Sequence, residues 1–295
     1  VSRVDAVPAP LLVLAGVVSV QFGGALAATL VPQIGAAGSV VLRLLIATAL
    51  LLLFARPRWR GHRPRDWATV GCFGLALGLM NFAFYASLGH LPIGVAVTIE
   101  FIGPLTLAAV LSRRPRDLLA VAAAGVGVVL ISQALSLPFA DLERTGIVLA
   151  LLAGACWAAY IVFSGRTGAA FPQLEGLALA MVVATAVVLP FGIWDVSVHG
   201  TSAWDGTVLL KGLGIAVLSS VLPYSLELLA LRRLTPAVFG ILLSLEPAVA
   251  ALAGLLVLGQ RLDPIQLTGM ALVVLASFLV LGLGASRRRQ PDLPA

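Results

Sequence analysis

Apolar residues run along this chain in long stretches, broken by prolines, glycines and short clusters of charge. Residues 6–42, 118–140, 145–165, 176–194 and 264–286 hold no Asp, Glu, Lys, Arg or His. A helix crosses the hydrocarbon core of a bilayer with about 20 apolar residues at roughly 1.5 Å rise each, so every one of these stretches is a candidate span. With the breaks as boundaries the pattern predicts ten spans: 10–30, 37–56, 67–88, 92–112, 116–135, 144–164, 174–193, 208–231, 236–258 and 264–284. Connections are short, the longest being 194–207, and leave no room for a separate soluble domain. The expected fold class is an all-α integral membrane protein.

Composition agrees with that pattern. Of 295 residues, 60% are hydrophobic and 11% charged, with a mean hydropathy of +1.06; a soluble domain carries roughly 25% charge. The net charge of +6 does not point to nucleic acid, because the arginines sit in clusters between apolar segments rather than along one helix face. They read instead as topological signals. With the N-terminus inside, Arg3, the Arg56 to Arg65 cluster, Arg113, Arg114, Arg116, Arg166, Arg232, Arg233 and Arg287 to Arg289 all fall on the cytoplasmic side. Only Arg144, Lys211 and Arg261 fall outside, and Arg43 lies within a span. This bias places both termini in the cytoplasm of a bacterial inner membrane. Trp59 and Trp67 mark the inner interface on this reading, and Trp194 and Trp204 the outer. The N-terminal stretch lacks a cleavage signature and reads as a retained first span.

The two halves resemble each other. A shift of 143 lays Leu91 on Leu234, Val95 on Val238 and Pro104 on Pro247, and Gly16 to Phe22 pairs more weakly with Gly154 to Tyr160. Five spans per half is an odd number, so the second copy enters with opposite orientation. The chain is expected to divide into repeats at 10–135 and 144–284, with a substrate site between them near the bilayer midplane.

An ionisable side chain at the bilayer centre costs about 2.5 to 3.5 kcal/mol on insertion scales and calls for a partner or a wet cavity. Arg43, Glu100, Glu227 and Glu246 are in that position. Pro104 cannot donate to the carbonyl four residues back, which is that of Glu100, and Pro247 likewise frees the carbonyl of Leu243. A free acceptor beside a carboxylate suits an ammonium group where the backbone faces a cavity. The alternative is that Arg43 pairs with Glu100 or Glu246 solely to neutralise charge. Glu227 lies near the cytoplasmic end, within reach of Arg232 or the interface. Gln21, Asn81, Trp157, Tyr160 and Tyr224 are suited to a wet cavity wall, and equally to bonding between helices. Gly71, Gly74 and Gly78 read as a helix contact, and Cys72 and Cys156 as small packing residues. HExxH, Walker A and GxSxG patterns are absent, and His62, His90 and His199 fall in turns. Neither enzyme chemistry nor a cofactor or metal is therefore expected, and transport would run downhill or on an ion gradient.

Particular runs of residues carry a family likeness: Gly35-Ala-Ala-Gly38 leading to Leu42-Arg-Leu44, Gly78-Leu-Met-Asn-Phe through Tyr85, Glu100-Phe-Ile-Gly-Pro104, and Ser112-Arg-Arg-Pro115. The second half adds Gly154-Ala-Cys-Trp-Ala-Ala-Tyr160, Leu222-Pro-Tyr-Ser-Leu-Glu227 and Glu246-Pro247 leading to Leu258-Gly-Gln260. Over residues 10–284 the chain resembles the threonine/homoserine exporter group in the EamA branch of the drug/metabolite transporter superfamily. The resemblance implies export of small amino acids through a cavity bounded by both repeats. Family members often carry an acid where this chain has Gln260. Substrate range drifts in such families, so another small metabolite or a cationic drug is the rival solute, protons are a candidate coupling ion, and a receptor or scaffold without flux is the rival class.

Overall fold

The computed structural model describes residues 7–112, 115–132, 142–199, 204–258 and 263–285. No strand occurs among them; the chain folds as α1 (Ala9–Ala55), α2 (Pro64–Ser87), α3 (Ile93–Leu111), α4 (Pro115–Ile131), α5 (Arg144–Ala170), α6 (Glu175–His199), α7 (Gly206–Ala216), α8 (Leu222–Leu231), α9 (Pro236–Leu243), α10 (Leu245–Leu258) and α11 (Pro264–Ala285). A π-helical turn, Val217–Val221, joins α7 to α8 without a break. Among the described residues five stretches are long and apolar enough to cross a membrane: Ala37–Ala55, Pro64–Ser87, Arg144–Ala170, Glu175–Trp194 and Gly206–Leu231. Shorter apolar helices lie at Ala9–Gly24, Val95–Leu111, Asp117–Ile131, Pro236–Ala250 and Pro264–Leu279.

Two of the expected spans are joined differently from the sequence reading. The predicted gap at 31–36 is no loop: α1 runs through it and turns at the single residue Gly35, with φ 74° and ψ 169°. That conformation is sterically closed to residues with a Cβ, so a glycine does in one position what a loop would do in several. The segment predicted as one span at 236–258 is instead broken at Ser244, between α9 and α10. Pro247 then falls in the first turn of α10, where its missing N–H is not needed.

Helix faces are fixed by close crossings. A Cβ on Gly74 would stand 2.3 Å from the Ala180 carbonyl and one on Gly78 2.9 Å from that of Ala184, so α2 and α6 touch backbone to backbone as their spacing predicts. Gly71 is not part of the contact, since nothing lies within 4 Å of its Cβ position. Cys72 next to it is exposed, contrary to the packing role expected of it. Two contacts join the halves of the chain reciprocally. On α4 and α11, Gly127 and Gly269 each approach the other's carbonyl, both Cβ positions lying 2.7 Å from it. On α1 and α6, the Thr48 and Thr185 hydroxyls lie 2.8 Å apart; Thr48 also donates to Met181 O at 3.1 Å and Thr185 to Leu44 O at 3.2 Å. Each threonine thus reaches the carbonyl four residues before the other.

The core lies among α1, α2, α5 and α6, filled by Leu44, Leu51, Phe73, Leu77, Tyr160, Ile161, Leu177 and Met181. Large apolar side chains also cover the outside, Phe54, Leu119, Leu210 and Phe278 each being at least two-thirds exposed. That distribution would be costly in water and is neutral against lipid tails.

Candidate functional site

Beyond the break at Gly35, α1 carries Arg43 into the bundle, where it is only 7% exposed. Its Nη2 donates to Asn81 Oδ1 on α2. The Asn81 amide nitrogen, facing the other way, donates to Leu77 O at 2.9 Å and to the Tyr224 hydroxyl on α8 at 3.2 Å. Tyr85, one turn beyond Asn81 on the same face of α2, holds its ring 5.7 Å from the guanidinium carbon, within cation–π range. Among the described residues no carboxylate stands within salt-bridge distance of Arg43, and its buried Nε has no hydrogen-bond partner. The neutralising pair with Glu100 or Glu246 is therefore not formed.

The aromatic rings continue the chain of contacts. Tyr160 on α5 is fully buried, its ring 5.8 Å from that of Tyr224 and 5.4 Å from Phe73. Its hydroxyl donates to Glu227 Oε2 at 2.7 Å. Glu227 thus turns into the bundle instead of toward the interface. Arg232, the residue the sequence placed within its reach, donates to Phe171 O at 2.8 Å and Gln173 O at 2.5 Å. Glu227 is an electrostatic neighbour of Glu246, and Glu246 of Glu100. Glu246 stands in the first turn of α10, where the helix dipole favours a carboxylate.

Glu100 is buried on α3, followed by Phe101, whose ring meets Trp157 edge to face at 4.8 Å. The backbone carbonyl freed by Pro104 does not open on a cavity. A Cβ on Gly154 would lie 2.5 Å from Glu100 O, and one on Gly103 would lie 1.8 Å from Gly154 O. Helices α3 and α5 thus cross with their backbones in contact, and Gly154 covers the acceptor that was expected to hold an ammonium. Gln21, half-buried on the first leg of α1, makes no side-chain hydrogen bond among the described residues and stands outside the network. Gln260 lies outside the described residues.

Tyr85 is a residue of the polar network that reasoning from the sequence left unselected. Its position four residues after Asn81 was a usable signal, since i and i+4 share a helix face. The assembled group is a buried guanidinium, an amide, three phenols and three carboxylates, drawn from helices throughout the chain. Polar groups of both charges inside a bundle whose exterior is apolar mark a candidate solute or ion pathway, the arrangement of a membrane-embedded transporter.

Comparison with known proteins agrees with that class. Residues 144–282 match the EamA-like transporter family. The chain is 39% identical to the threonine/homoserine exporter RhtA of Salmonella typhimurium (strain SL1344) over 284 residues, 96% of this chain and 93% of that protein. It is likewise 39% identical to RhtA of Escherichia coli (strain K12), over 90% of this chain and 88% of the relative. A solved crystal structure superposes with a TM-score of 0.71 at 20% identity, covering 92% of this chain and 98% of its own, a likeness of fold alone. The chain belongs to the EamA-like transporter family and is a multi-pass protein of the bacterial inner membrane, a carrier and not an enzyme.

Proposed function

We propose that this protein exports small amino acids of the threonine and homoserine class, by alternating access between two inverted five-helix repeats at residues 10–135 and 144–284. The observation that carries the reading is Arg43, a buried cation with no carboxylate partner among the described residues, linked through Asn81 and Tyr224 to a region holding the buried acids Glu227 and Glu100 and the half-buried Glu246. A zwitterion completes such a site: its carboxylate occupies the donors of Arg43, and its ammonium lies against Glu246 and Glu100. The named function of the 39% identical relatives supports the same solute.

The repeat is supported by the reciprocal contacts. Gly127 and Gly269 are 142 positions apart, one from the offset of 143 that aligns Pro104 with Pro247. Thr48 and Thr185 are 137 apart, one from the 138 that aligns Gly16 with Gly154. A residue that meets its own repeat equivalent lies on or near the axis relating the repeats. With arginines concentrated between the same alternate segments, both termini are cytoplasmic in this reading. A proton is the candidate coupling ion, with Glu246 as its carrier.

Labelled threonine and homoserine, offered to inverted membrane vesicles with and without a proton gradient, test the reading against vesicles lacking the protein. Gradient-dependent uptake is expected, lost in Glu246→Gln while the variant still inserts. Near-normal uptake by that variant removes the acid from the mechanism. A second reading, export of a cationic amphiphile, is favoured by the aromatic cluster that begins at Glu227, where Tyr160 bonds the acid and packs on Tyr224 and Phe73. A hydrophobic cation that competes with threonine when threonine methyl ester, lacking the free carboxylate, does not would separate a shared acid site from one that also requires Arg43.

A further inference from the structure

Tyr224 and Glu227, the two network residues of α8, follow directly on the π-helical turn Val217–Val221. Such a turn adds one residue to the helix, and one residue corresponds to roughly 100° of rotation about the axis. Continued as a plain α-helix from α7, the same sequence would turn Tyr224 away from Asn81 and Glu227 away from Tyr160. The turn therefore decides whether α8 takes part in the network.

Its backbone has a gap that another helix fills. Leu222 N–H bonds to Val217 O five residues back. The next π-type bond would run from residue 223 to Leu218 O, but Pro223 has no N–H to give. Ser19, on the first leg of α1, donates its hydroxyl to Leu218 O at 2.7 Å. The helices are pressed together there: a Cβ on Gly23 would stand 1.9 Å from Ser219 Oγ. Beside the bond runs an apolar groove lined by Leu11, Leu14, Val18 and Leu222, which offers no competing donor for the carbonyl. Water is scarce in such a place, so a lost hydroxyl is not readily replaced.

We infer that Ser19 is a positioning residue for the binding site, holding the π-turn that aims Tyr224 and Glu227 at Asn81 and Tyr160. Among the described residues its hydroxyl bonds the Leu218 carbonyl and no network side chain, so it acts through the backbone of the turn. The consequence for transport rests on the amino-acid reading above; the consequence for the helix does not.

Two measurements keep these apart. Hydrogen–deuterium exchange on the full chain in lipid nanodiscs needs no substrate. Loss of one neutral intramembrane hydrogen bond predicts roughly threefold to tenfold faster exchange of α8 amides in Ser19→Ala. Exchange in α2 should not change, and Ser19→Thr, which keeps the hydroxyl, should return α8 toward wild type. Unchanged exchange in α8, or a uniform rise in every helix, overturns the inference. In vesicles, Ser19→Ala should raise the half-saturation concentration for labelled threonine, with the saturating rate kept within about twofold. In a Tyr224→Phe background it should add less than it does alone, because the Asn81–Tyr224 bond is already lost there and only the Tyr160–Glu227 bond is left for Ser19 to position. Full additivity, or a fall in rate at unchanged half-saturation, overturns the positioning role. If wild-type vesicles take up neither threonine nor homoserine, the substrate reading fails and the exchange result alone decides the role of Ser19.

Discussion

At the scale of single residues the decisive feature is a buried arginine held by neutral groups alone among the described residues. Asn81 and the Tyr85 ring orient Arg43 but do not neutralise it. A guanidinium presents its donors in a rigid planar fork that fits a carboxylate, and an ammonium does not. Arg43→Lys is therefore expected to keep the charge and lose the solute. A charge-assisted hydrogen bond contributes about 1.5 to 3 kcal/mol, so the half-saturation concentration for threonine in vesicles should rise by at least roughly tenfold. Unaltered half-saturation would detach Arg43 from solute binding. The four ionisable candidates were legible from the sequence because charge in an apolar run is conspicuous. Which of them meet was not. Glu227 found Tyr160, Arg232 found the α5–α6 turn, and Arg43 found an amide, since pairing depends on helix rotation to within a few tens of degrees.

At the scale of elements, glycine sets both a turn and a crossing. The positive φ of Gly35 costs a residue with a Cβ about 1 to 3 kcal/mol, so Gly35→Ala should lower the midpoint of thermal unfolding in detergent. A midpoint equal to wild type would show that the turn relaxes freely. The α3–α5 crossing leaves no volume at Gly154, where a Cβ would lie 2.5 Å from Glu100 O. Gly154→Val forces the helices apart, at a cost of at least the 1 to 3 kcal/mol typical of overpacking. Loss of the monodisperse species in size-exclusion chromatography, or a clear fall in the thermal midpoint, is the expected outcome. Sequence offsets announced the Gly74 and Gly78 contact, but nothing in them distinguished Gly71, which meets no neighbour, from Gly154, which does.

At the scale of the whole molecule, the Thr48 and Thr185 pair offers a test of pseudo-symmetry. Each hydroxyl meets the other and the carbonyl one turn before the other, so replacing either threonine removes an equivalent set of contacts, the shared one and one to a carbonyl. Thr48→Val and Thr185→Val should destabilise the protein to a similar extent. Their combination should fall short of the sum, by about 0.6 to 1.7 kcal/mol on the scale measured for intramembrane hydrogen bonds. Strongly unequal single effects would argue against a shared axis there.

The sequence by itself determined that the protein is helical and lies in a membrane, because hydropathy over a span of about 20 residues is a property of the chain alone. Its motifs also carried the family resemblance, and its arginine clusters an expected orientation. Tertiary structure decided the rest: that Gly35 replaces a loop, that a π-turn held by Ser19 rotates Tyr224 and Glu227 into the network, and that the carbonyl freed by Pro104 is covered by Gly154. In each case the outcome depends on which faces of two helices meet. A chain that is apolar around nearly its whole circumference does not encode those faces in its hydrophobic pattern.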